Sequence, residues 1–505
     1  MSPLTEADRR FLTSVSKLAY CNPFLPERTE YERAALGKDY VARQAVWSAS
    51  VADPEAANPN VARLHARLEP VIEKVCGRAG SAALANEQDR AAYEDSVHHL
   101  LYLRYYPRFV AARESWAFYR DFAEDWERLL SARLAVFETA AEAPHFFACF
   151  RQVQRAFHHI FDNIIGNSMP AARLRASVWQ SIFTYDLRRY RRTLFSRMRD
   201  FATLITGPSG TGKELVARAV AGSCYVPFDA ARRRFADPPG EPFVAINIAA
   251  LSPALIESEL FGHRRGSFTG AVGDRKGWLE SSPAAGSVFL DELGEMELLL
   301  QVKLLRVIET RKFSAVGDTA VREFSGKLIA ATNRDLPAEI RAGRFREDLY
   351  YRLCADLVRT PSLREQIEDS PEVLRDLVLF MVRRAVGDEA ERCFPEVEAW
   401  VQTHLPAGYD WPGNYRELEQ CVRNVIIRGS YRPIADQREP GNLFLARFLN
   451  GELEADEVIS YYAALVYRKA GTYEETARRM GLDRRTVKAR VETFLARATD
   501  EAREL

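Results

Sequence analysis

The stretch "LITGPSGTGKE", residues 204–214, carries the residue types that grip a phosphate chain. Gly207, Pro208, Ser209, Gly210, Thr211 and Gly212 form a glycine-rich turn between an apolar run and the helix-prone "ELVARAVA". Such a turn lets backbone N–H groups wrap phosphate oxygens, and the positive end of the following helix adds to the attraction. Lys213 would reach the β- and γ-phosphates as a point charge. Glu214 stands where the general pattern has Ser or Thr, so the usual hydroxyl ligand for magnesium is missing there. Roughly eighty residues on, "GSVFLDELGE" brings Asp291 and Glu292 to the end of an apolar strand. Asp291 suits the shell of a Mg²⁺ ion, held through water, and Glu292 suits polarising an attacking water. Together the two stretches imply hydrolysis of a nucleotide, with Mg²⁺ as the expected metal.

These groups need a sheet to present them side by side. From about residue 160 to 430, short β-rich runs alternate with helical ones: "ATLIT", "PFVAINI", "SVFLD", "KLIAAT" and "ADLVRT". That alternation predicts a mostly parallel sheet between helices, with ligands at the carboxyl ends of its strands. Residues 1–158 read instead as amphipathic helices, as in "EDSVHHLLYLRYYPRFVAARESWAFYRDF". The Pro/Gly-marked "YRPIADQREPGN" reads as a connector within 431–455, and residues 456–505 return to helix.

Composition limits the function classes. The 505 residues are 47% hydrophobic and 28% charged, with 70 basic against 70 acidic side chains. No global field draws the chain to nucleic acid, so any such contact needs a local patch. Seven cysteines without a CxxC pair favour a reducing compartment over a structural zinc site. "MSPLTEADRR" has no apolar core, and no run of eighteen apolar residues occurs, so the expected location is cytoplasmic, with no membrane contact.

The local patch lies near the C-terminus. "GTYEETARRMGLDRRTVKARVETFLAR" reads as helix, turn at Gly481, helix, with Asp483 as N-cap. Between Arg468 and Thr499 nine basic residues face four acidic ones. Arg484, Arg485, Thr486 and Lys488 stand where a recognition helix meets base edges and phosphates of double-stranded DNA.

One stretch resists a local reading: "FGHRRGSFTGA", residues 261–271, with Phe268 and Thr269 between glycines. It falls into place as one of a series in fixed order: "IIGNS", "GPSGTGKE", "FVAINIAAL", "ESELFGHRRGSFTGA", "VFLDELGE", "KLLRVIE", "AATNRDL", "FREDLYYRL" and "WPGNYRELE". Across about 160–430 the chain resembles the bacterial enhancer-binding proteins, the AAA+ activators of sigma-54 RNA polymerase. The C-terminal helices resemble, more weakly, the family's Fis-type DNA-binding domain.

The resemblance implies an α/β fold: an AAA+ P-loop core over 159–430, split into an α/β part (160–362) and a helical lid (363–430). An all-α N-terminal domain and a C-terminal helix-turn-helix would flank it. Gly266, Ser267, Phe268, Thr269, Gly270 and Ala271 look like the GAFTGA loop that touches sigma-54, with Ser267 in place of the usual Ala. Asn247 is similar to the switch asparagine that pairs with the catalytic glutamate. Thr332 and Asn333 look like sensor I, and Arg416 like sensor II. Arg346 and Arg352 match the arginine fingers that one subunit lends to its neighbour, which implies a homo-oligomeric ring, a hexamer in this family. The chain departs from the family in two longer connections, "DLRRYRRTLFSRMRD" and "YVPFDAARRRFADPPG", expected to be insertions tolerated in loops.

The N-terminal region is regulatory by position, with no signal readable in it. Its histidines (His98, His99, His145, His158, His159) read as satisfied or solvated side chains on amphipathic helices. The implied function is an ATP-hydrolysing activator that binds DNA and remodels sigma-54 polymerase. The alternative is a DNA-binding regulator that uses the AAA+ module only for nucleotide-gated oligomerisation, without sigma-54 contact.

Overall fold

Five apolar runs become one parallel sheet because each is too short and too β-branched to hold a helix. In the computed structural model they are β1 (Thr203–Thr206), β2 (Phe243–Asn247), β3 (Ser287–Asp291), β4 (Lys327–Thr332) and β5 (Asp356–Arg359). The strand order is β5-β1-β4-β3-β2 and every pair is parallel. Residues 4–42, 58–78, 84, 86–112, 115–130, 142–236, 243–268, 270–406, 408–433, 448, 451 and 453–501 are described. They form two compact units, 1–430 and 431–505.

The strand register sets up the chemistry. Thr206 lies level with Thr332, and Asn247 level with Asp291, so these strands end together at one edge of the sheet. The middle strands are buried on both faces: Leu204, Val288, Leu290, Leu328 and Ala330 join the core on one side, Ile205, Phe289, Ile329 and Ala331 that on the other. This is the α/β sandwich that the alternating pattern predicts, and its fold is that of the AAA+ core.

Among the described residues, the helices before it include α1 (Glu6–Tyr20), α2 (Glu27–Leu36), α3 (Pro59–Arg78), α4 (Glu87–Ala111), α5 (Tyr119–Leu129) and α6 (Ala143–Asn163). Helix α1 begins at a reciprocal cap, in which Thr5 and Asp8 satisfy each other's backbone N–H groups. Helix α6 runs on past residue 158, and α7 (Met169–Phe183) follows, capped by Ser168. The helices bury an unusual density of rings. Phe147 touches Phe109, Phe118, Phe122, Phe228 and Phe235, with centroids 4.7–6.0 Å apart. Each such pair adds about 0.5–1.5 kcal/mol beyond the area it buries.

Two of those rings come from a segment read as a tolerated insertion. Phe228 and Phe235 sit on a two-residue ribbon within "YVPFDAARRRFADPPG" and are buried in the N-terminal core. The other long connection behaves alike. Arg188 pairs with Asp95 of α4, Arg192 with Glu94, and Tyr190 donates to Gln152 Oε1 of α6 at 2.7 Å. Both connections are therefore corrected from passive loops to the pieces by which the sheet domain and the N-terminal helices pack as one unit. In the first connection the arginine-rich composition reads as solvated surface, yet the carboxylate partners of Arg188 and Arg192 stand on α4, some ninety residues upstream.

Among the described residues, the second unit contains the clustered helices Ala455–Ala470, Tyr473–Met480 and Arg484–Glu501. Ala463, Ala477, Val487 and Val491 form its core. Among the described residues no helix is long and apolar enough to cross a membrane.

Candidate active site

The turn after β1 is shaped by close approach. Gly207 has φ +149°, and a Cβ there would meet Thr360 Oγ1 at 2.1 Å; one on Gly210 (φ +77°) would meet the Gly413 carbonyl at 2.2 Å. Only glycine fits either place. Lys213 opens the following helix, Lys213–Ala221, and donates from Nζ to the carbonyls of Gly207 and Pro208, both at 3.1 Å. Burial lowers its pKa, opposed by the nearby charges of Glu292 and Asp291. Thr211 donates to the Pro208 carbonyl at 2.8 Å and meets Thr360 Oγ1 at 2.7 Å.

One cavity of about 780 Å³ gathers Ser209–Glu214, Asp291, Glu292 and Arg416. Asp291 ends β3, half-buried, and burial raises its pKa. Glu292 follows with φ +54°, in the left-handed region, and its N–H donates to Asp291 Oδ1 at 3.0 Å. That backbone conformation ends the strand at Asp291 and turns the chain into the short helical turn Leu293–Glu295; local strain of this kind collects at working sites. Glu214 points away from this role. It is exposed and pairs with Arg218 one turn along its own helix.

The helical part closes the cavity from above the turn. Arg416 donates to Ser209 Oγ at 3.1 Å, and Asn414 Nδ2 donates to the Ser209 carbonyl at 2.9 Å. Asn414 (φ +53°) also accepts from the Leu363 N–H, so it ties the helix Asn414–Arg428 to both the turn and the preceding segment. The sequence reading takes only the arginine from "WPGNYRELE"; an asparagine after glycine was the available signal for the second tie. Also unassigned in the sequence are Ile164, Ile165, Leu174, Leu377, Phe380 and Met381, the apolar end of the cavity. Their helical and loop spacing is indistinguishable from ordinary core.

The remaining expected residues stand around this cavity rather than in its lining. Thr332 is buried at the end of β4, its Oγ1 accepting from the Arg334 N–H, while Asn333 is exposed. Asn247 is exposed at the end of β2, beside Asp291, and no hydrogen bond joins it to Glu292 among the described residues. Arg346 precedes the helix Glu347–Leu353 and pairs with Asp348 at 2.6 Å; Arg352 pairs with Glu309 at 3.2 Å. Arg352 is exposed and Arg346 half-buried, and neither lines the cavity of their own chain.

The glycine-bracketed loop projects between two short antiparallel pieces, Gly262–His263 and Arg275–Lys276. Gly266 (φ +80°) donates to the Ala271 carbonyl at 2.9 Å, closing the turn. Phe268 remains 40% exposed and meets His263 edge-on at 5.0 Å. Ser267 Oγ has no hydrogen-bond partner among the described residues, Ala271 is buried, and Gly270 has φ +103°. Thr269 lies outside the described residues.

Comparison with known proteins bears on the central part of the chain. Residues 187–358 match the family model of the sigma-54 interaction domain. The central part of this chain is a sigma-54 interaction domain. The chain is 38% identical over 295 residues to the transcriptional regulatory protein ZraR of Escherichia coli (strain K12), covering 57% of this chain and 62% of that one. It is 42% identical over 244 residues to the regulatory protein LuxO of Vibrio cholerae, covering 48% and 50%. The chain thus spans less than two thirds of these relatives' length. Among solved structures, NtrX from Brucella abortus in complex with ATP aligns at 25% identity over 70% of this chain and 76% of that one, with a TM-score of 0.39. The sigma-54 interaction domain here contains the glycine turn, the Asp291–Glu292 pair, the 266–271 loop, Arg346 and Arg352; Arg416 lies beyond it.

In the second unit, Arg484, Arg485 and Lys488 are exposed at the start of the last helix. Arg484 pairs with Glu474 at 3.0 Å and Lys488 with Glu492 at 3.6 Å, whereas Arg485 has no ion pair among the described residues. Thr486 is half-buried; its N–H donates to Asp483 Oδ1 at 2.9 Å and its hydroxyl to Oδ2, so it serves the cap.

Proposed function

We propose that this protein is an ATP-hydrolysing transcriptional activator that binds DNA through residues 456–505 and remodels sigma-54 RNA polymerase. The observation that carries the reading is one cavity holding a glycine phosphate cradle, Lys213 and the Asp291–Glu292 pair, in a domain whose loop exposes Phe268. The backbone N–H groups of the turn and Lys213 bind the phosphates, and the apolar end at Ile165, Phe380 and Met381 takes the base. A half-buried carboxylate beside phosphate oxygens is an oxygen donor set of the kind magnesium prefers, so Asp291 fits a water-bridged Mg²⁺ that would neutralise phosphate charge. Glu292 orients and polarises the attacking water, while Arg416 bridges the lid to the cradle.

Arg346 and Arg352 lie outside the lining of their own cavity, as arginines lent to a neighbour would, which supports a ring of subunits, hexameric by family resemblance. Thr332, Asn333 and Asn247, at strand ends beside the site, relay its state toward the loop. Arg484, Arg485 and Lys488 supply the DNA contacts; Thr486 contributes by shaping the helix start. A cytoplasmic location follows from these partners.

Open-complex formation by sigma-54 polymerase, purified protein and ATP tests the reading directly. Thr269→Ala should keep ATP turnover within about 2-fold, below about 0.5 kcal/mol in barrier, and abolish capture of sigma-54 in the presence of ADP–aluminium fluoride. Ser267→Ala, which removes a hydroxyl without a described partner, is the matched control and should be silent in both assays. Normal capture by Thr269→Ala would make the loop a relic and leave the oligomerisation-only reading standing.

A further inference from the structure

Helix α7 carries a charge where a core residue belongs. Ala171, Arg175, Val178 and Ile182 recur at helical spacing, and all four are buried. Arg175 is 0% exposed, and burial lowers its pKa to about 10, which leaves it charged at neutral pH. Of the five N–H donors of a guanidinium, only those on Nη1 are used; Nε and Nη2 are buried with no hydrogen-bond partner among the described residues. A buried cation with so few bonds is a poor stabiliser of the fold.

The bonds it does make fall on one short turn. Nη1 donates to the carbonyl of Ile164 at 3.0 Å and to that of Gly166 at 2.8 Å. Helical side chains lean toward the amino end of their helix, so Arg175 reaches back over the turn that enters α7. Two carbonyls two residues apart, meeting one nitrogen, fold the chain tightly around Ile165. Gly166 allows this with φ +111°; a Cβ there would stand 3.2 Å from Gln366 Oε1. The turn is also fastened to the helical lid. Ser168 Oγ donates to Gln366 Oε1 at 3.3 Å, Gln366 Nε2 donates to the Tyr415 hydroxyl, and the Met169 N–H donates to Asp369 Oδ2 at 2.7 Å. Ile164, Ile165, Leu174 and Tyr415 line the nucleotide cavity; Arg175 stands behind them, outside its lining.

We propose that Arg175 is a positioning residue for base recognition, holding the 164–166 turn in the shape that packs a nucleotide's base without touching the nucleotide itself. This rests on the reading that the cavity binds an adenine nucleotide with its base at the apolar end. An apolar slot gains affinity through its fit, so a slackened turn loses contact with the base. The phosphate end is held by different means, the glycines and Lys213 of the 207–213 turn, and owes nothing to Arg175. Loss of the arginine therefore separates base binding from phosphate binding.

Calorimetric titration of the full-length protein with ADP, and with inorganic pyrophosphate as a ligand without a base, is the experiment, with Mg²⁺ present throughout. The unaltered protein should bind ADP at least about tenfold tighter than pyrophosphate. Arg175→Met, similar in length and uncharged, should weaken ADP at least about tenfold and leave pyrophosphate within about twofold, with circular dichroism verifying the fold. Arg175→Lys keeps the charge but ends one bond short of both carbonyls, and should weaken ADP at least about fivefold. Gly166→Ala disturbs the same turn from its other side and should also weaken ADP alone. ADP affinity kept within about threefold by Arg175→Met, or restored by Arg175→Lys, overturns the inference and leaves the nucleotide reading standing. An equal loss of both ligands marks a charge acting at a distance and overturns it too. No binding of ADP to the unaltered protein up to about 1 mM overturns the nucleotide reading and the inference with it. Should Arg175→Met fail to fold, Arg175→Lys and Gly166→Ala decide.

Discussion

The two ends of the nucleotide cleft are built from opposite materials. The phosphate end is a backbone site: its cradle is peptide groups, Gly207 and Gly210 are there because a side chain would collide, and its acidic pair sits on consecutive residues at a strand end. The apolar end is a side-chain site, assembled from residues between Ile164 and Met381 that no single element carries. Two of the arginines assigned to the cleft's chemistry, Arg346 and Arg352, stand outside its lining. A site made of backbone tolerates little substitution at a few positions; a site made of side chains spreads its tolerance over many.

The sharpest break between the two is chemical. Glu292→Gln should lower ATP turnover at least about 100-fold and retain nucleotide binding. Steady-state phosphate release beside a nucleotide titration checks this, and comparable turnover would remove Glu292 from the mechanism. Next comes completeness within one chain. Arg346→Ala and Lys213→Ala proteins, each inactive alone, should regain on mixing at least about a tenth of unaltered turnover, because each supplies what the other lacks. No recovery in mixed assemblies verified by cross-linking would place the arginine's role within its own chain.

Gly210→Ala probes the cradle at a single atom. The left-handed backbone and the collision with the Gly413 carbonyl should cost about 1–2 kcal/mol, weakening nucleotide binding about tenfold. An unchanged affinity would show that the lid gives way freely.

This contrast explains what could be read in advance. Lys213 and Asp291–Glu292 were legible because each lies within a few residues of the turn or strand that aims it. Asn414 was only half legible, since its motif was visible but its grip on Ser209 spans some two hundred residues of chain. The long connections misled because arginines such as Arg188 and Arg191 count as surface in a local window. Their partners, Asp95 and His98, lie on a helix some ninety residues earlier, and nothing in the spacing joins them.

By itself, then, the amino-acid order determined the strands, the glycine turn, the acidic pair and the basic final helix, because hydrophobic period, φ > 0 requirements and helix caps act over four to ten residues. Tertiary structure alone decided that the two arginine-rich connections join the N-terminal helices to the sheet, and that Arg346 and Arg352 stand outside their own cleft. It alone set the buried Arg175 guanidinium on the carbonyls of the turn at the apolar end of the cleft. Those outcomes depend on which distant side chains share a desolvated volume, and burial of that kind is settled only when the whole chain has packed.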